Sequence, residues 1–252
     1  MKKHIAIAAG LAVLSTSAFA TKARMNALGQ VDDRGSFFTQ DSRNVFRNAS
    51  KVNDMTNYIV TEWGTAAATQ DSATAPSAEG GFFRSAGQFN YGVYLGSDID
   101  SQNTARNKAD ANFVKNDNKI DLFFGGDMGV KWGVNVGYSS SEAQAAGAGA
   151  IKRENDSLAI GLGVEKGALE GYVNIGLSDE SKGATLAADR FEADTGINAG
   201  LSYDWMDYTF YADYDKTGFE QNVAAVRTEV ENTTLTVGAG HNHEVSASSR
   251  IF

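Results

Sequence analysis

Between residues 82 and 240 eight segments, the first read as one strand over 82–96, alternate apolar with small or polar residues at a period of two. Phe89, Tyr91, Val93 and Leu95 share one face, with Gln88, Asn90, Gly92 and Gly96 on the other. Ile120, Leu122 and Phe124 follow, with Phe123 breaking the pattern. Val130 to Tyr138, Leu158 to Val164, Leu169 to Leu177, Phe191 to Trp205, Tyr208 to Tyr214 and Thr233 to Ala239 repeat it. A period of two is the pleat of a β-strand with unlike faces, so eight strands are expected.

Three short turns, at Gly125-Gly126-Asp127, Glu165-Lys166-Gly167 and Trp205-Met206-Asp207, are evenly spaced. Before, between and after them residues 97–118, 139–156, 178–190 and 215–229 are longer, polar and charged, and read as loops. An antiparallel meander then has tight turns at one end and long loops at the other, and an even strand count leaves both chain ends on the tight side. Membrane β-barrels have this asymmetry.

Period alone does not say which face is inside. A soluble sandwich buries its apolar face, whereas a membrane barrel turns it outward. The polar faces here are mostly Gly, Ser, Asn and Thr, unlike the Lys/Glu-rich faces of a solvated surface, and small inward residues suit a narrow lumen. The expected fold is therefore all-β: an up-and-down antiparallel transmembrane β-barrel of eight strands over residues 81–252. The irregular segment 21–80 raises the count to ten if it adds a hairpin, within a range that extends to ten to twelve strands. Phe124, Trp132, Tyr203, Trp205 and Tyr208 lie near short turns and are candidates for an aromatic girdle, although the turn at Glu165 has no such neighbours. On the opposite face Lys131, Glu170, Glu192, Asp194, Asp204 and Asp213 are candidate lumen-facing charges, an excess of acid that favours cations.

The amino terminus fits an exported chain. Lys2 and Lys3, the apolar run Ile5 to Leu14 and Ala18-Phe19-Ala20 form a signal peptide cleaved after Ala20. The apolar run is far short of the roughly 20 residues of a spanning helix. Cleavage removes two lysines and no acid, leaving 20 basic against 31 acidic residues and a formal charge of −11. That balance argues against nucleic acid and against docking on an anionic surface. There is no cysteine, hence no disulfide.

Within 21–80, Thr21 to Gln30 reads as a short helix, Ser36 to Thr39 and Asn57 to Trp63 as strands, and Ala66 to Gly80 as linker, so the segment is periplasmic or lumenal. The stretches TKARMNALGQ, RGSFF, DSRNVFRNASKVN and NYIVTEWG, over residues 21–64, resemble the amino-terminal region of porin-like outer-membrane proteins from predatory Gram-negative bacteria. The resemblance implies an outer-membrane barrel and carries no catalytic residues. One departure is the chain's end. A closing strand of this class alternates apolar residues up to a terminal Phe, but Ser248 and Arg250 precede Phe252, so SSRIF reads as a weak closing signal or a ninth strand cut short.

Other chemistry is thinly represented. His241 and His243 share a strand face but lack the further ligands zinc needs. Asp98 and Asp100 lack the calcium-loop pattern. Gly161-Leu162-Gly163 precedes no helix and is no dinucleotide motif. No nucleophile elbow is present. No metal, cofactor or catalytic activity is expected. Three functions are consistent with the sequence: a porin-like barrel supporting envelope integrity and passive diffusion of small cations and solutes, a non-conducting structural or adhesive barrel presenting its loops, and a soluble secreted lipocalin-like binder. The expected surroundings are outer-membrane lipid, small ions and solutes.

Overall fold

The structure is a computed structural model that describes residues 34–38, 41–62, 78–97, 99, 102–116, 118–144, 147, 149–241 and the backbone of 243–246 and 249–251. The signal peptide, the 21–30 helix, Asp98, Asp100, Phe252 and the side chain of His243 lie outside the described residues.

The chain is mostly antiparallel sheet. Helix α1 (Asn44–Arg47) and a 3₁₀ helix (Ala49–Asp54) precede β1 (Tyr58–Glu62), β2 (Glu79–Ala86) and β3 (Phe89–Leu95). Helix α2 (Asn103–Ala109) lies in the next connection, before β4 (Ile120–Asp127), β5 (Lys131–Gln144), β6 (Lys152–Lys166) and β7 (Leu169–Lys182). Then come β8 (Arg190–Ala193), β9 (Gly196–Trp205), β10 (Tyr208–Val223) and β11 (Val226–His241), with a separate pair, β12 (His243–Ser246) and β13 (Ser249–Ile251). Eleven strands form one sheet in which each pairs with its sequence neighbour, and β8 and β9 together fill the place between β7 and β10. No described helix is long and apolar enough to cross a membrane.

This corrects the sequence expectation of a closed eight-stranded array in three ways. First, residues 82–96 are not one strand but the β2–β3 hairpin, reversed at Gly87 (φ 65°), and β1 adds another strand before it. Second, the regions read as loops are partly strand. β5 and β6 stay paired out to Gln144 and Lys152, and residues 215–229 complete β10 and β11 around a two-residue turn at Ala224-Ala225. Alternation vanishes there because both faces are polar, yet the hydrogen-bond ladder needs no apolar face to continue. Third, among the described residues β1 and β11 are edges, each paired on one side. Ser36 to Phe38 is also not a strand.

The sheet is inside-out relative to a soluble domain. Asn135, Asn174 and Asn198 are buried, while Val136, Leu201 and Tyr203, on the opposite face of β5 and β9, are exposed. Leu122, Leu162, Val164, Leu169, Leu235 and Val237 are likewise exposed. Buried polar side chains outnumber buried apolar ones, the reverse of ordinary burial. The sheet also curls. Arg43 bonds Glu79 of β2 and Tyr94 of β3, and the Arg47 carbonyl, one helical turn away, accepts from Asn174 of β7. In a flat sheet β3 and β7 would be about 19 Å apart; a turn of helix rises only about 6 Å.

Two small apolar clusters sit on the inner side. Val45, Phe46, Val52 and Met55 of the helical segment pack on Val60, Phe83, Tyr94 and Phe123. At the long-loop end Phe113 packs on Phe191 beside Phe219.

Candidate functional site

The concave side of the sheet is the candidate site, and residues 41–55 lie in it as a plug. The glycines of β4, β5 and β6 make the seat. A Cβ at Gly133 would strike the Ala49 carbonyl, one at Gly163 the Asn48 side chain, and one at Gly125 would come within 2.7 Å of Val52. Backbone can approach backbone here only because those positions lack a side chain. Polar bonds then fix the plug: Asn53 donates to the Trp132 carbonyl (3.0 Å), Asn90 to Asn53 (2.9 Å) and Asn174 to the Arg47 carbonyl (2.9 Å).

At the short-turn end the plug is held by charge. Lys51 lies 2.8 Å from Glu165 and also pairs with Glu170, while Asp54 pairs with Lys131 at 2.7 Å, itself 3.2 Å from Glu165. Burial pulls the Lys51 ammonium toward neutrality, but Glu170 and Glu165 outweigh it and hold its pKa above the ordinary lysine value. These groups edge a cavity of about 640 Å³ that also reaches Asp41, Tyr58 and Asp204.

The β3–β4 connection closes the other end. Arg106 of α2, fully buried, pairs with Asp179 of β7, which also accepts from Asn155 (2.9 Å) and from the Gln102 backbone (3.2 Å). Asn116 donates to Ser157 at 2.7 Å. Beneath this loop lies a second cavity, of about 260 Å³.

The sequence-chosen charges fall in different places. Lys131 and Glu170 are in the plug network. Asp213 is on the inner face, accepting from Tyr172 and from Asn198 (3.0 Å). Asp204 accepts from Thr209 (2.6 Å) and edges the large cavity, whereas Asp194 is exposed, borders the small one at the β8–β9 break and turns its carboxylate over Gly218, away from the inner face. Glu192 is a correction: it is exposed, and Phe191, expected outside, is fully buried. Paired bulges cause the exchange. Leu177 is an extra residue in β7 against β6, and the Asp194–Thr195 break adds one against β10. One extra residue swaps the faces of all that follow.

The aromatics Phe124, Tyr203, Trp205 and Tyr208 are exposed on the outer face near the short turns, and Trp132 is partly covered by Phe89 and Phe124. Tyr208 stacks on Phe210 and lies 4.6 Å from His241. No metal-ligating cluster occurs among the described residues.

Reading the strands alone missed the cations that meet the acids: Arg43 with Glu79 and Glu62, Lys51 with Glu165 and Glu170, Arg106 with Asp179, and Arg34 with Asp215 (3.8 Å). A signal was available, since Arg43, Arg47 and Lys51 recur every four residues, a helical spacing that gathers charge on one side. The lining is thus largely charge-compensated by two segments outside the strand array. No family model, curated protein or solved structure matches the chain.

Proposed function

We propose that this protein is a porin-like outer-membrane β-barrel whose lumen is narrowed by its own plug and inward loop, so that it supports the envelope and passes only water and small ions. The observation that carries the reading is the inverted sheet: about twenty large apolar side chains are exposed along its strands, while polar and small ones are buried on the opposite face. Such a surface is costly in water and favourable in lipid. Along β7 the apolar face runs from Leu169 to Leu177; at about 3.4 Å per residue and the usual tilt this spans about 20 Å of hydrocarbon.

Lipid tolerates no open sheet edge, so the proposal requires β1 and β11 to be covered in the membrane. β1 leads away from the short-turn end and β11 returns to it, so the two can close antiparallel as a ten-place barrel. The proposal assigns no catalysis. A soluble lipocalin-like binder is disfavoured because most residues around both cavities are charged or hydrogen-bonding, not the aromatic and aliphatic set an apolar ligand needs.

The test is twofold. The mature chain, folded in detergent, is expected to migrate differently on gels before and after boiling and to give small, reproducible channel steps in planar bilayers. Gel migration unaffected by boiling, together with solubility without detergent, sinks the barrel reading. A heat-modifiable protein without channel steps converts it to a non-conducting structural barrel sealed by the plug.

A further inference from the structure

The large cavity is edged by the paired charges of the plug. The small one differs. Asn116 is 2% exposed and Asn198 7% exposed; both line it, and the Oδ1 of each is buried with no donor. The amide of Asn198 is fixed in sense, because its Nδ2 donates to Asp213, and an ionised carboxylate can only accept. Oδ1 is therefore the end left without a partner. The inward charges of the lining, by contrast, are compensated. Arg34 faces Asp215 at 3.8 Å, Lys119 faces Asp121 at 3.6 Å, and Asp179 is held by Arg106. The sheet also gives this cavity a mouth. β7 pairs with β9 as far as Gly176 and Gly196, and with β8 from Glu180 and Glu192 onward. Between these the ladder is interrupted, and the exposed residues Ser178 and Asp194 border the cavity at that seam. The seam begins at Leu177, where the apolar face of β7 ends.

What the cavity lacks is thus hydrogen-bond donors, not charge of either sign. Buried acceptors left without donors are costly, and a lining whose charges already meet one another gives a bare ion nothing to offset its lost hydration. We propose that this cavity binds a small, neutral, polyhydroxylated solute of the monosaccharide class, admitted at the seam between β7 and the β8–β9 pair. Its hydroxyls donate to the Asn116 and Asn198 carbonyls. Ser157 accepts from Asn116 and keeps its own hydroxyl hydrogen to give to the solute's oxygens. Ala159, Gly176 and Ala193 carry little or no side chain, and so leave the space. The volume of about 260 Å³ holds on the order of eight waters, or one compact polyol in place of most of them. A single polyol makes the same bonds while releasing waters that would each be held separately. The site goes beyond the porin-like reading and does not depend on conduction, since the solute enters at the seam and leaves the plug in place.

The test is equilibrium dialysis of radiolabelled glucose against the folded chain, with glucuronate and glucosamine as an anion and a cation of like size. Wild type is expected to bind glucose saturably, and both charged sugars at least about tenfold more weakly. Asn198→Ala removes one acceptor and is expected to weaken glucose by about tenfold. Gly176→Val tests the space itself. A Cβ at Gly176 meets no heavy atom nearer than 3.7 Å, so the added side chain fills the cavity without straining the wall and is expected to abolish binding. Glu192→Gln, on the exposed face, keeps it. No saturable glucose binding by wild type leaves a cavity that holds water only, and overturns the site. So do charged sugars held as tightly as glucose, or Gly176→Val binding as wild type does. A chain that shifts on boiling but takes up no glucose keeps the envelope reading and loses this one. Glucose binding by a chain that is soluble without detergent does the reverse.

Discussion

Gly133 and Gly171 belong to neighbouring regions of one sheet and have opposite roles. A Cβ at Gly133 meets the plug backbone; one at Gly171 meets nothing nearer than 3.5 Å. Gly133→Ala is expected to cost about 1–3 kcal/mol through overpacking, and Gly171→Ala no more than about 0.5 kcal/mol, read from denaturant unfolding in detergent. Lys51 carries a pH dependence. Its folded pKa lies above the ordinary 10.5, so its contribution is complete below that value and fades as pH rises past it. Proteolysis of the plug segment is expected to accelerate above about pH 10.5 in wild type, and Lys51→Met to give fast proteolysis already at neutral pH. The residue scale is also where the strand pattern was least informative. It marked Glu170 and Lys131 as inward, but the partner of Glu170 lies 119 positions away, a separation no local pattern encodes.

The elements that fill the concave side of the sheet are the two least regular ones. α2 is a single short helix, and its hold on the sheet is the Arg106–Asp179 pair beneath Phe191, over whose ring Arg106 also lies. Removing one member strands a buried charge. Arg106→Met is expected to destabilise by about 3–5 kcal/mol, and the double change Arg106→Met with Asp179→Leu by clearly less, both read from unfolding curves. The strands themselves were legible wherever their faces met different surroundings, as in β5 from Trp132 to Tyr138. They became illegible at their outer ends, where Glu142 and Glu154 face across the ladder with polar residues on both sides, and at the β10–β11 tip. There Ala224 and Ala225 hold φ of 51° and 64°, a turn usually announced by Asn-Gly.

At the scale of the whole molecule the plug decides what the sheet can do. Residues 41–55 reach strands β2 to β7 and separate the two cavities, since Asn44 edges one and Asn174, bonded to Arg47, edges the other. A chain lacking 41–55 is expected to fold less stably and to give larger single-channel conductance, measured in planar bilayers beside the intact chain. Unchanged conductance would mean that the inward loop, rather than the plug, limits passage.

By itself the sequence determined the antiparallel meander, three of its tight turns, and the pairing of small with apolar faces, because a two-residue period is a local consequence of the pleat. Only the tertiary structure decided which face lies inside, where Leu177 and Thr195 slip the register, and that the acids of the lining meet cations from a segment far away in the chain. These depend on curvature and on contacts between residues distant in sequence, and no periodicity within one strand records either.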